Sequence, residues 1–306
     1  MIVEFAIGGI VAAVSIAFVL GYRAFCIPRP KKLEMPGRRW ALLYRLAGGP
    51  RPTLIVLHSY SGDALTTAKY SGFLQAAIPR GFNVVVPEGV AREWHDTSDS
   101  SISDVDDIGF IASVAEKLIR AGIADPQRVF IAGISNGGMM AFAVVAARPD
   151  LFAGLGTISG GMPKHVFENF QLAKPMLLVM INGDADDVLP YRGGEVGSRD
   201  GFFRSIAGVE ATAILFAQAN GCDTRTEPRR SPMRDGRRHI ERIDWDCPPS
   251  AATVVIKVIG GGHDVIGWRP PLQAFLGLPP RGPATAAAIV AGFVEVNATA
   301  ASAAAR

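Results

Sequence analysis

The stretch from Arg128 to Pro149, RVFIAGISNGGMMAFAVVAARP, constrains the fold more than any other part of the chain. RVFIAG is a short apolar run of the kind buried on both faces of a sheet. GGMMAFAVVAARP is long and continuous enough for a buried helix. Between them lies Gly133-Ile134-Ser135-Asn136-Gly137, a G-x-S-x-G in which glycines flank a serine at a strand-to-helix turn. Such a turn lifts the hydroxyl above the carboxyl edge of a sheet, and the glycines let neighbouring backbone pass without Cβ clashes. The plainer reading is a glycine-rich turn in which Ser135 caps a helix. Either way, the chain must build a sheet with helices packed on it.

The rest of the sequence repeats this alternation. Strands are expected at Trp40–Leu46, Thr53–His58, Asn83–Pro87, Arg128–Gly133, Met176–Asn182 and Thr253–Ile259, with longer amphipathic segments between them. That alternation predicts an α/β fold, a mostly parallel sheet with helices on both faces. Asp104 is the expected N-cap of a helix running to about Gly122, with Val105, Ile108, Ile111 and Leu118 at helical spacing. No repeat or long linker interrupts residues 40–298, which are read as one catalytic-size domain.

The ends are different in kind. Residues 5–20, FAIGGIVAAVSIAFVL, carry no charge, and with their neighbours reach the roughly 20 residues of a membrane helix. Glu4 precedes this run, and Arg23, Ala24, Phe25 and Cys26 come after it, which fits an uncleaved anchor better than a cleaved secretory signal. Residues 1–22 are therefore expected to be a membrane anchor, contacting lipid through residues 2–22, and residues 23–39 a basic juxtamembrane linker. Residues 299–306 are an Ala-rich tail. Basic residues after the anchor favour a cytoplasmic location for the remainder of the chain.

Charge and cysteine content exclude other classes. There are 31 Lys and Arg against 28 Asp and Glu, too even a balance for a nucleic-acid surface. The cysteines, Cys26, Cys222 and Cys247, lack the spacing of a zinc knuckle or a redox C-x-x-C, so no metal is expected.

If Ser135 is a nucleophile it needs a base within hydrogen-bond reach and an acid to orient that base, in the chain order serine, acid, histidine. Of the histidines beyond both Ser135 and the candidate acids, His239 lies in an Arg-rich, solvent-facing stretch, whereas His263 sits in Gly260-Gly261-Gly262-His263 directly after the last strand. His263 is the expected base. Asp184, Asp186 and Asp187 come after the strand LLVMIN, and spacing does not choose among them. An oxyanion hole is expected from the N–H of Asn136 and from Tyr60, in the loop after Thr53–His58, with His58 shaping that loop.

Several motifs occur in order: LHSYSGDA (57–64), VVVPEG (84–89), REWHD (92–96), DVDDIGFI (104–111), DPQRVFIAGISNGGMMAF (125–142), RPDLFAG (148–154), NGDADDVLPYRGG (182–194), NGC (220–222) and GGGHD (260–264). With these motifs the chain resembles the polyhydroxybutyrate depolymerase and feruloyl or acetylxylan esterase group of α/β-hydrolases. The resemblance implies that Asp186 is the acid, that Cys222 and Cys247 form a disulfide, and that Trp94 lies near bound substrate, where the plainer reading makes Trp94 a core aromatic. Such a bridge needs an oxidising compartment, against the cytoplasmic side favoured by the basic linker. The expected location is thus membrane-anchored or secreted, on the periplasmic or extracellular side. Ser59 and Asn182 depart from the group, which has glycine and histidine there, and an aromatic found just after the base is absent, with Trp268 further along.

The resemblance implies a serine carboxyl-ester hydrolase without cofactor, acting on small or polymeric esters. The same triad is compatible with a peptidase or acyltransferase. A membrane-tethered binding protein with a vestigial site is the alternative from another class.

Overall fold

A computed structural model describes residues 27–96, 105–197, 203–224, 227–235, 238–248, 251–263, 289 and 291–293. The expected anchor at 1–22, the Asp104 cap, Trp268 and the tail at 299–306 lie outside these residues. Among the described residues no helix is long and apolar enough to cross a membrane.

The strands are β1 (Lys31–Glu34), β2 (Trp40–Tyr44), β3 (Arg51–Leu57), β4 (Asn83–Pro87), β5 (Ala124–Ile134), β6 (Gly154–Ile158), β7 (Leu177–Gly183), β8 (Gly193–Gly197), β9 (Phe203–Ala207), β10 (Arg229–Asp235), β11 (Arg238–Asp244) and β12 (Ala252–Val258). The helices are α1 (Ala64–Tyr70), α2 (Phe73–Ala77), α3 (Asp107–Arg120), α4 (Asn136–Ala147), α5 (Lys164–Glu168) and α6 (Val209–Ala219).

All strands but two join in one sheet, ordered β1-β2-β4-β3-β5-β6-β7-β12-β11-β10. From β4 to β12 neighbours run parallel, and an antiparallel pair closes each side. Strands β8 and β9 form a separate antiparallel hairpin.

Alternate strand residues point to opposite faces, and the core divides accordingly. Ile55, Ile131, Leu178 and Val255 pack with Ile111 and Leu118 of α3, Phe142 of α4 and Phe216 of α6. Leu54, Phe130, Val179 and Ile256 pack on the other face with Phe73 and Leu74 of α2, and with Ile289 and Phe293. This is the α/β-hydrolase fold, with both faces of the sheet covered.

Three details depart from expectation. Asp106 caps α3, accepting the Gly109 N–H at 2.7 Å, so the described helix starts after a different aspartate from the one expected. Strand β6, GLGTI, is unmarked by any strong apolar run because two of its residues are glycines. A Cβ on Gly154 would meet the Phe130 ring, and one on Gly156 would lie 2.4 Å from Ile289. The Arg-rich stretch around His239 is exposed at His239 as expected, but it extends the sheet as β10 and β11.

Candidate active site

Residues at the ends of β5, β7 and β12 meet at the carboxyl edge of the sheet. Ser135 follows β5 directly and precedes α4 with φ 54° and ψ −118°, a left-handed conformation uncommon for a residue with a side chain. The turn closes tightly: a Cβ on Gly133 would lie 2.0 Å from the Gly137 carbonyl oxygen, and one on Gly137 would lie 2.4 Å from that of His58. Glycine is required at both positions, and the close approach holds the first turn of α4 against the loop after β3.

His263 Nε2 lies 3.0 Å from Ser135 Oγ, and His263 Nδ1 lies 2.8 Å from Asp186 Oδ2. The imidazole thus bridges hydroxyl and carboxylate. The other oxygen of Asp186, Oδ1, accepts the N–H groups of Val188 and Leu189 at 2.9 and 2.8 Å. This fixes the carboxylate plane and leaves Oδ2 to face the ring. The side chain of Asp186 is fully buried, whereas Asp184 and Asp187 belong to exposed positions. Of the carboxylates that spacing left open, it is Asp186 that meets the histidine.

The loop after β3 is organised by His58, which is fully buried. The Gly89 N–H donates to His58 Nε2 at 3.0 Å, so that nitrogen carries no proton. The proton therefore sits on Nδ1 and is donated to the Ser59 carbonyl at 2.8 Å. Burial holds the imidazole below its ordinary pKa, outweighing the opposing effects of the Ser59 carbonyl and the carboxylates of Asp63 and Asp107. His58 is a neutral brace, the shaping role expected of it. Tyr60 stands two residues on, exposed.

Trp94 is placed differently from the expectation that it lies against substrate. It has no exposed surface, and its ring packs on His58 with centroids 4.7 Å apart. Its indole N–H donates to the His58 carbonyl at 3.0 Å, and its backbone exchanges two hydrogen bonds with the Asn136 side chain. A ring with no accessible face offers none to a ligand. Trp94 instead ties the loop after β3 to the residue next to Ser135. His95, the neighbour of Trp94, is anchored in turn through its N–H to buried Asp107, which also pairs with Arg39.

Asn182, where the resembling group has histidine, is buried at the end of β7 and donates through Nδ2 to the Gly160 carbonyl at 2.9 Å. Ser59, at the other departure, is half-buried, and its carbonyl also accepts the Gly62 N–H at 2.9 Å. Cys222 and Cys247 are disulfide-bonded, as the resemblance implies. Among the described residues no group of three or more His, Cys, Asp or Glu is arranged to hold a metal.

Lys257 is a residue that sequence reasoning passed over. It is the charged side chain in an otherwise uncharged strand, which was the available signal. Its ammonium lies 3.8 Å from Asp184 and 5.0 Å from the centre of the Tyr191 ring.

This fold, with a serine at the strand-to-helix turn and a histidine bridging it to a buried carboxylate, is the framework of a serine hydrolase. Comparison with known proteins narrows the class to carboxylic ester hydrolases. Residues 72–162 match the prolyl oligopeptidase family. NocK of Nocardia uniformis subsp. tsuyamanensis, designated an esterase, is 31% identical over 252 residues, covering 76% of this chain and 72% of NocK. Feruloyl esterase B of Piromyces equi is 23% identical over 227 residues, 71% of this chain but 41% of that enzyme's length. Among solved structures, an acetyl xylan esterase from Aspergillus awamori superposes with a TM-score of 0.55 at 16% identity, covering 76% of this chain and 93% of that one. The chain belongs to the esterase-type α/β-hydrolase family.

Proposed function

We propose that the protein is a serine esterase acting on short-acyl, hydroxyalkanoate, feruloyl or acetyl esters through a Ser135–His263–Asp186 triad. The observation that carries this reading is the bridging imidazole, 3.0 Å from the Ser135 hydroxyl and 2.8 Å from the Asp186 carboxylate. Ser135 Oγ attacks the ester carbonyl carbon while His263 Nε2 takes its proton. Asp186 holds the proton on Nδ1 and stabilises the imidazolium that forms. The carbonyl oxygen becomes an oxyanion received by the backbone N–H groups of Asn136 and Tyr60, each donor contributing about 3 kcal/mol of transition-state stabilisation. Collapse breaks the bond to the alkoxy group, which leaves as the alcohol with the proton from His263. Water, deprotonated by the same imidazole, then hydrolyses the acyl-enzyme. No metal or cofactor enters any step.

The choice of substrates comes from the relatives, which are named for feruloyl and acetylxylan esters. A peptidase is the second reading, supported by the match of residues 72–162 to the prolyl oligopeptidase family. Membrane attachment through residues 2–22, with the catalytic domain outside the cytoplasm, belongs to the same proposal. The disulfide supports an oxidising compartment.

The test uses the full chain on a panel of short-chain nitrophenyl esters, methyl ferulate, acetylated xylan, hydroxybutyrate oligomers and a peptide anilide. Ester turnover with none on the anilide is expected, together with fluorophosphonate labelling that disappears in Ser135→Ala. Labelling that survives in Ser135→Ala would remove the nucleophile, and preferential anilide cleavage would favour the peptidase.

A further inference from the structure

His263 reaches Asp186 across two loops, and the loop that carries it is intrinsically loose. Ile259 and then Gly260, Gly261 and Gly262 separate the end of β12 from His263, and Gly260 adopts φ +66°. Glycine has the largest conformational freedom of any residue, so a run of three places the base poorly unless something outside the run holds it. A misplacement of about 1 Å in a catalytic group is enough to cost on the order of 100-fold in rate.

The opposing loop, from β7, supplies that hold. Its backbone makes two of the contacts: Asp184 N–H donates to the Val258 carbonyl at 3.2 Å, and Ala185 N–H donates to the Gly261 carbonyl at 2.9 Å. The third contact is a side chain, since the Gly260 N–H donates to Asp184 Oδ1 at 2.6 Å. Asp184 Oδ2 faces the Lys257 ammonium at 3.8 Å, and Lys257 rests over the Tyr191 ring, whose hydroxyl donates to Glu210 at 3.1 Å. The carboxylate is thus held from behind while it grips the first glycine of the base loop. Two residues further along the same loop, Asp186 receives the imidazole.

We propose that Asp184 is a positioning residue for the acid–base pair, with its carboxylate fastening the glycine tract of the base loop so that His263 stands between Asp186 and Ser135. The proposal deepens the triad reading and rests on it. Asp184 touches no reacting atom, and it acts through His263. The feature needed at residue 184 is an acceptor for the Gly260 N–H, and the Lys257 pairing orients that acceptor.

The experiment compares wild type, Asp184→Ala, Asp184→Asn and Ser135→Ala on one soluble nitrophenyl ester, with thermal melts and proton NMR alongside. Asp184 lies in an exposed turn, so truncating it empties no core. In Asp184→Ala, kcat should fall about 10-fold or more with KM within about twofold, the pattern of a lost transition-state contribution. Asp184→Asn, whose amide oxygen can accept the same N–H, should recover kcat to within about threefold of wild type. The far-downfield proton resonance of the His263–Asp186 hydrogen bond should be present in wild type and Asp184→Asn and lost or moved in Asp184→Ala. A wild-type kcat and an unmoved far-downfield resonance in Asp184→Ala, or an Asn variant as impaired as the Ala variant, overturns the proposal while Ser135→Ala remains inactive. Turnover by Ser135→Ala overturns the triad reading itself and the proposal with it.

Discussion

Asn136 and Trp94 exchange a pair of hydrogen bonds: the Trp94 N–H donates to Asn136 Oδ1 at 2.9 Å, and Asn136 Nδ2 donates to the Trp94 carbonyl at 3.0 Å. Both residues are buried, so neither backbone group has water as a substitute. Asn136→Ala keeps its own N–H, the proposed oxyanion donor, but orphans both groups on Trp94. The expected loss is about 1–3 kcal/mol of stability, with a fall in kcat as the first turn of α4 loosens. Urea unfolding midpoints and steady-state kinetics on one ester measure the two effects. An Asn136→Ala protein with unchanged midpoint would mean the pair is not structural.

The neutral state of His58 sets a pH dependence. Burial lowers its pKa in the folded protein, so on acidification the unfolded chain takes up this proton first, as pH drops through about 6.5. Below that point the unfolded state binds more protons at this position, and stability declines with falling pH. Protonation would also replace the acceptor that meets the Gly89 N–H with a donor. His58→Gln should lower the melting temperature at neutral pH and flatten its dependence between about pH 7.5 and 5.5. Melting curves of the two proteins over that range decide the matter, and a wild-type-minus-variant difference that is constant with pH contradicts it.

Much of this arrangement is legible in the chain because its strongest signals are local. The strand ahead of Ser135, the glycines around it and the glycine tract before His263 each reflect the demands of a sharp turn at a sheet edge. The choice of Asp186 over Asp184 and Asp187 is not local. It depends on which carboxylate faces a histidine 77 residues away, and so it came from resemblance. The place of Trp94 was not local either: the resemblance put it near substrate, a core aromatic was the plainer reading, and only the tertiary fold shows its indole turned inward onto His58. Strand β6 escaped because close packing against Phe130 and Ile289 demands glycine where strand propensity favours branched side chains.

Reducing the Cys222–Cys247 disulfide should destabilise the fold without disabling it. The bond closes a loop of 25 residues, for which chain entropy estimates roughly 3 kcal/mol. It sits near Trp245, whose N–H donates to the Thr253 carbonyl at the amino end of β12, while His263 lies beyond the carboxyl end of that strand. Denaturant midpoints with and without dithiothreitol should therefore separate clearly, while kcat at temperatures where both forms are folded should agree within about twofold. A large loss of kcat in the folded, reduced protein would show that the bridge supports the site directly.

Gly133→Ala tests whether the turn before the serine tolerates any side chain. The added methyl would stand 2.0 Å from the Gly137 carbonyl oxygen and 2.6 Å from the Gly138 nitrogen, and both are backbone atoms that no rotamer change can move aside. The first turn of α4 would have to shift away from β5, taking Ser135 out of line with His263 and opening the packing against His58. The expected cost exceeds about 4 kcal/mol, which few single substitutions reach. Gly49→Ala is the matched control, because a Cβ there meets nothing within 4 Å and the residue is not in the left-handed region. Thermal melts and fluorophosphonate labelling of the soluble fractions should show Gly133→Ala severely reduced in both and Gly49→Ala indistinguishable from wild type. A well-folded, fully labelled Gly133→Ala would mean that the strand-to-helix turn is wider than the backbone contacts around Ser135 require.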